Sequence, residues 1–290
     1  MKITTKFNLM LISVFSLGLL IVGFVSYKIL HENARNEVIT HAGMMMEAAL
    51  AIRGYTVKEI RPLLALQLKR EFLPQSVPSY AATQNFNALR EDNPEYTYKE
   101  ATLNPTNPRD RAADWETDII NEFRNNENKK QIIGERNTPT GKSLYLARPI
   151  RIKNKGCLTC HSTVDAAPKT MIKYYGTANG FGWQHNEVVG TQIVSVPLAV
   201  PIKKANKAFT VFIASLVAIF VSIFLLINLM LRKLVIKPVV TMSALADEVS
   251  KGNMEAPAFD STGKDEIADL SSSFNRMRIS LEKAMTMLEE

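Results

Sequence analysis

From Phe7 to Tyr27 the chain reads FNLMLISVFSLGLLIVGFVSY, about 20 residues without a charge and long enough for a helix to cross a hydrocarbon core. A second apolar run, AFTVFIASLVAIFVSIFLLINLML, extends from Ala208 to Leu231. Nothing between them approaches the roughly 17–25 apolar residues that a span requires, so two membrane helices enclose a polar segment from about Lys28 to Lys207. The competing reading of the first run is a cleaved signal peptide, because Lys2 and Lys6 precede it. Its length, the lack of a small-x-small cleavage site and the helix-compatible SYKILHENARNE that follows favour a retained span.

Within the polar segment, residues 32–72 are predicted as a long helix, kinked at Pro62 and ended by Pro74. A loop-rich stretch with Pro78, Pro94, Pro105 and Pro108 holds a short helix near Tyr80 to Glu91 and a strand near Tyr96 to Leu103. An amphipathic helix over Arg109 to Glu127 places Trp115, Ile119, Ile120 and Phe123 at helical spacing. KKQIIGER and KSLYLARPIRI flank NTPTG as a hairpin, and Val188 to Leu198 forms a last strand leading into the second span. Helices followed by antiparallel strands give an α+β domain.

Beyond the second span two apolar heptad series appear. Val235, Val239, Met242, Ala246 and Val249 step by four and three, as do Ile267, Leu270, Phe274, Met277, Leu281, Ala284 and Leu288. This spacing predicts two bundle-forming helices joined by a connector with Gly and Pro. One pair buries both stripes poorly, so a parallel homodimer with four helices is the natural solution; a passive dimerisation stalk is the plainer alternative. The segment resembles a HAMP domain, with Pro238 opening the first helix and Asp265-Glu266-Ile267 through Phe274-Asn275-Arg276-Met277 matching the second. No kinase, methyl-accepting or cyclase sequence follows it, so output is expected to pass to a separate cytoplasmic protein or through dimer geometry.

A net charge of +7 raises nucleic acid as a partner, but Arg232, Lys233 and Lys237 flank a membrane helix and account for part of it, so no nucleic acid is expected. Lys203, Lys204 and Lys207 at the other end of that helix leave little net direction from the positive-inside rule. Orientation must come from chemistry.

The only two cysteines fall in Gly156-Cys157-Leu158-Thr159-Cys160-His161, a C-x-x-C-H sequence and the attachment signature of c-type haem. Thiols three positions apart reach the two vinyl groups of one porphyrin, and the next residue sets an imidazole under the iron, which makes His161 the proximal ligand. A zinc site needs further ligands, with only His31, His41 and His185 elsewhere, and a thiol-disulfide centre belongs before a long helix. With haem attached, the domain lies outside the inner membrane and both termini in the cytoplasm. Opposite His161, the run Met44-Met45-Met46 offers three thioethers pointing three ways around a helix; each is a candidate distal ligand and equally a core or interface filler. His41 and His185 rank below them, and an open or water-occupied position is the remaining option. Arg53 is either a partner for a haem propionate or a solvated charge, and GFGW near Trp183 is either a haem-facing turn or ordinary packing, with the bland reading favoured for both.

The segments IRGYTVKEIRPLL, FLPQSVPSYAA, YTYKEATLNPTNPRDRAADWE, YLARPI, CLTCHS and YGTANGFGW followed by EVVGTQIVSVP cover most of the region from Ala34 to Pro197. They resemble the haem c-binding, PAS-like sensor domain family long known only as a domain of unknown function. The resemblance implies a PAS-like fold, haem on Cys157 and Cys160, iron on His161 and the leading helix on the opposite face; distal ligands differ among relatives.

The resulting expectation has residues 1–6 cytoplasmic, 7–28 and 207–231 in the membrane, 29–206 as a periplasmic PAS-like sensor domain, 232–285 as a HAMP bundle and 286–290 as a tail. It describes a non-enzymatic bacterial inner-membrane sensor with one covalent haem c, responding to redox state or to NO, CO or O₂. The alternatives are a membrane-anchored monohaem electron carrier and a thiol-disulfide protein.

Overall fold

In the computed structural model, which describes residues 2–139 and 141–289 with the side chains at 288 and 289 excepted, the first apolar run opens a long helix, α1 (Ile3–Tyr55). Thr140 of the NTPTG turn and the side chain of Leu288 in the second heptad series lie outside the described residues. By contact the chain forms two units, Ser26–Phe209 and Met1–Val25 with Thr210–Glu290.

In the first unit, α1 is followed by a π turn (Thr56–Ile60) and the short α2 (Arg61–Leu63). The cause is Pro62, which has no N–H for the carbonyl four residues back and whose ring crowds it. The wider turn takes up the strain, with the Arg61 amide donating to the Thr56 carbonyl. The predicted kink is therefore a π turn, and the helix stops at Leu63, short of residue 72. Leu63 and Leu66 stand 80% and 78% exposed, so no packing surface holds further helical turns despite a helix-forming composition.

After α2 come α3 (Pro78–Asp92), β1 (Thr97–Thr102), α4 (Asp114–Asn125), β2 (Ile132–Thr138) and β3 (Gly141–Arg151). The one-turn α5 (Leu158–His161), α6 (Lys169–Tyr175) and β4 (Val188–Pro197) complete the domain. The strands form one antiparallel sheet in the order β1-β4-β3-β2. Alternation sorts its two faces. Leu144, Leu146, Val194 and Val196, with Tyr98, meet Val38, Ala42, Met46 and Ala49 of α1 and Phe86 of α3. Ala147 and Ile193, with Ala101, meet Ile119, Ile120 and Phe123 of α4. The register pairs Leu144 with Val196 and Leu146 with Val194, so each face is continuous. This is the α+β layout with a long leading helix that the periodicity predicts.

The helical stretches Ile3–Leu63 and Ala199–Ser250 are each long and apolar enough to cross a membrane. The second contains α7 (Ala199–Leu231), a π turn (Arg232–Ile236) set before Pro238 in the same way as the first, and α8 (Lys237–Ser250). In the second unit Phe15 stacks on Phe220 at 4.9 Å. α9 (Glu266–Glu289) lies beside α8, with Ser271 donating to the sulfur of Met242 at 3.2 Å. The connector docks through Asn275, whose carbonyl oxygen accepts from the Phe259 amide and whose NH₂ donates to the Phe259 carbonyl, both at 2.9 Å.

Candidate cofactor site

A short loop from β3 delivers the C-x-x-C-H segment. Asn154 accepts from the Gly156 amide at 2.8 Å and shapes the turn, Cys157 caps α5, and Cys160 and His161 sit on its single turn. Both cysteines are free, half-buried and line one cavity of about 310 Å³ together with His161. That volume falls at the lower end of the roughly 300–1,000 Å³ of ligand pockets.

His161 is held from three sides. Its Nδ1 donates to the Gly180 carbonyl at 2.7 Å, with Thr106 Oγ1 also 3.4 Å away, and its ring stacks on Trp183 at 4.0 Å and 15°. The backbone closes the same turn, since Trp183 N donates to the His161 carbonyl and Gly182 N to the Ser162 carbonyl. With Nδ1 engaged as a donor, the tautomer is fixed and Nε2 carries the free lone pair, as in iron- and zinc-binding histidines. Burial pushes the imidazole pKa down, against the Gly180 bond that raises it, and the neutral form required of a ligand is favoured.

The Gly180 turn is itself clamped. Asn104 donates to the Phe181 carbonyl and accepts from the Gly180 amide, each at 3.1 Å. Gly180 has φ +87°, and a Cβ there would stand 2.0 Å from Thr106 Oγ1 and 2.9 Å from Thr106 Cα. Only glycine allows this approach. The Asn-Pro-Thr stretch at 104–106 thus supports the GFGW turn, and that turn supports His161. The sequence offered both strings as matching segments but gave no sign that they act on one another; Trp183 packs on the His161 ring and also lines the cavity.

On the far side of the chain's path, Arg53, Val57 and Arg61 of the α1–α2 region line the cavity, as do Leu68 and Phe72 beyond it. Arg53 is neither solvated nor free. It pairs with Glu100 of β1, which also accepts from the Tyr98 hydroxyl at 2.7 Å, while Gln192 donates to that hydroxyl at 2.9 Å. Burial is the largest single influence and lowers the Arg53 pKa, but the Glu100 charge, the Tyr98 hydroxyl and the Glu100 hydrogen bond together outweigh it and hold the guanidinium above its usual value.

The three methionines do not reach this cavity. Met46 is fully buried in the core between α1 and the sheet, Met45 packs against that core, and Met44 is 58% exposed. They lie about two turns before Arg53 on α1, so the expectation of a thioether from this run opposite His161 is corrected: they fill the core or face outward. His41 and the exposed His185 are also outside the lining, and His185 Nε2 is instead 3.3 Å from the Lys153 carbonyl. Met171 of α6, 3% exposed, is a thioether that does line the cavity, and the sequence reading passed over it.

The residues present fit a haem better than zinc or a redox disulfide. Among the described residues no cluster of three His, Cys, Asp or Glu side chains stands ready for a metal ion. A dithiol catalyst uses a long helix to lower a thiol pKa. Here the helix is one turn long and burial raises the Cys160 thiol, with Arg61 opposing. Two thiols and a neutral imidazole beside apolar walls from Leu68, Phe72, Ile150, Ile152, Met171 and Val189 suit a covalently held macrocycle.

Among solved structures the chain is similar to one titled as the crystal structure of the cyanobacterial heme-protein Tll0287, at 15% identity and a TM-score of 0.42, over 56% of this chain and 95% of that one. No curated protein matches it. The HAMP domain model matches residues 230–283. The Tll0287-like model matches residues 31–197, more than half of the chain, and this protein therefore belongs to the Tll0287-like family, with a HAMP domain following.

Proposed function

We propose that this chain is a transmembrane sensor carrying one covalent c-type haem, attached through Cys157 and Cys160, with His161 as an iron ligand. The observation that carries the reading is the His161 imidazole, locked by Gly180 and Trp183 with Nε2 unengaged, in one cavity with both thiols. The similar solved protein is titled a heme-protein, which agrees with it. Bound there, a haem supplies an iron that changes oxidation state and takes small ligands such as NO, CO or O₂. Signalling rather than catalysis is the role of a HAMP module, and electron carriage alone needs none.

The protein's own residues do the positioning. The Gly180 carbonyl fixes which imidazole nitrogen faces the cavity, and Trp183 fixes the ring plane. The end of α1 lines the same cavity, so a change in its contents biases α1 between two packings. We place residues 29–206 in the periplasm, 7–28 and 207–231 across the inner membrane, and 1–6 with 232–290 in the cytoplasm, because haem is attached outside that membrane. HAMP domains work in dimeric membrane receptors. The exposures of Leu270, Met277 and Leu281 on α9, at 42%, 56% and 42%, fit a stripe that a second copy covers.

Ile267→Cys or Leu270→Cys in membranes from cells that mature c-type cytochromes tests the relay. Cross-linking that differs between oxidised and reduced membranes is expected. Equal cross-linking in both, together with rapid electron exchange with a periplasmic donor, would instead establish a membrane-anchored carrier.

A further inference from the structure

Three guanidinium groups line the cavity, and two already have partners. Arg53 is held by Glu100, and Arg109 makes a two-pronged contact with Asp110 at 2.9 and 3.1 Å. Arg61 differs: among the described residues its side chain has no hydrogen bond or ion pair, and it is exposed. Counting the five charged lining groups, Arg53, Arg61 and Arg109 against Glu100 and Asp110 leaves one positive charge unanswered.

The π turn explains how Arg61 reaches the cavity. Arg53, Val57 and Arg61 stand four residues apart, a spacing that drifts steadily around an ordinary α-helix. The wider turn over Thr56–Ile60 slows the drift and brings all three to one wall. The positive charge of Arg61 is felt at Cys160, as that of Arg53 is at Cys157, so both stand within electrostatic reach of the thiols. The buried part of the lining includes the apolar Ile152, Met171 and Val189, with the charge of Glu100 already taken by Arg53, whereas Arg61 is exposed. A ligand with an apolar body and an anionic edge matches this division.

We infer that Arg61 binds a propionate carboxylate of the haem and ties it to the end of α1, taking the role that the sequence suggested for Arg53. This rests on the haem reading above. A guanidinium suits a carboxylate because it offers two parallel N–H donors, which an ammonium cannot.

The test uses the full chain, purified in detergent from cells that attach c-type haem, and compares Arg61→Gln, Arg61→Lys and Lys58→Gln. Lys58 lies on the same π turn, is exposed and does not line the cavity, so its loss controls for charge alone. Arg61→Gln is expected to shift the propionate bending band in resonance Raman spectra. It is also expected to lower the midpoint potential, because a removed cation favours the ferric state. Arg61→Lys should restore the potential yet leave the band displaced, and Lys58→Gln should match the wild type in both. Should the Gln variant not fold, the Lys variant decides: a displaced band supports the contact and an unmoved one overturns it. A band and potential unchanged in Arg61→Gln would also overturn it. A wild-type chain lacking a Soret band would overturn the haem reading, and this inference with it, before any variant is compared.

Discussion

Replacing Gly180 and Gly182 by alanine in turn isolates the support of His161. Both glycines have positive φ, +87° and +80°, so each alanine pays a similar backbone penalty of about 1–2 kcal/mol. Their surroundings differ. At Gly182 an added Cβ meets nothing within 4 Å, whereas at Gly180 it stands 2.0 Å from Thr106 Oγ1 and 2.9 Å from Thr106 Cα. Rotating the threonine side chain cannot clear its own Cα, so the turn must retreat. The retreat takes the Gly180 carbonyl from its 2.7 Å contact with His161 Nδ1. An unmade bond to a buried donor costs about 1–3 kcal/mol, so Gly180→Ala should lose about 2–5 kcal/mol against about 1–2 for Gly182→Ala. Urea unfolding of the detergent-solubilised chain, followed by tryptophan fluorescence, reads both, since Trp183 lies against the His161 ring. Equal losses in the two variants would mean that the turn does not bear on His161, and the reasoning would fail.

Glu100→Gln leaves Arg53 without its anion in a setting where that side chain is 26% exposed, and about 3 kcal/mol of stability should go; a loss under about 1 kcal/mol would mean that Arg53 is effectively solvated. The hydrogen bond from Lys142, aided by Arg35 of α1, holds the Glu135 carboxyl below its usual range. Its folded pKa being depressed, its contribution is complete above the ordinary carboxylate value of about 4.3 and is lost as pH falls through the folded value. Acid unfolding curves of wild type and Glu135→Gln should therefore converge at low pH and separate by about 0.2–1 kcal/mol above it; separation that persists in acid would contradict the pairing. Asn275→Ala removes both bonds to Phe259 and should loosen the connector by about 1–3 kcal/mol, seen as faster proteolysis between residues 251 and 265; unchanged cleavage would count against that docking.

Local and periodic signals made most of the fold legible. The helix at Asp114–Asn125, the β2–β3 hairpin and β4 at Val188–Pro197 lie close to where spacing and turn residues put them. Pro62 was visible as a break, yet the break is a π turn, because how a helix absorbs a missing N–H depends on what the next residues must reach. C-x-x-C-H likewise marked one half of the site in five consecutive residues. The other half was hidden because it comes from distant pieces: Asn104 and Thr106 before α4, Gly180 and Trp183 after α6, and Arg61 after the π turn. The methionine run misled for a related reason. Three successive residues on a helix must point three ways, but only the sheet's position decides that Met46 falls in the core between α1 and the sheet rather than in the cavity. Arg53 was equally ambiguous in isolation, since its partner Glu100 lies 47 residues along the chain.

The attachment itself is tested most directly by mass spectrometry of the intact chain, denatured and freed of non-covalent ligands after expression in cells that mature c-type cytochromes. A polypeptide heavier by one haem is expected, with the added mass on the peptide containing Cys157 and Cys160 and none on a Cys157→Ala, Cys160→Ala chain. A mature wild-type chain with both thiols free of porphyrin would contradict the attachment.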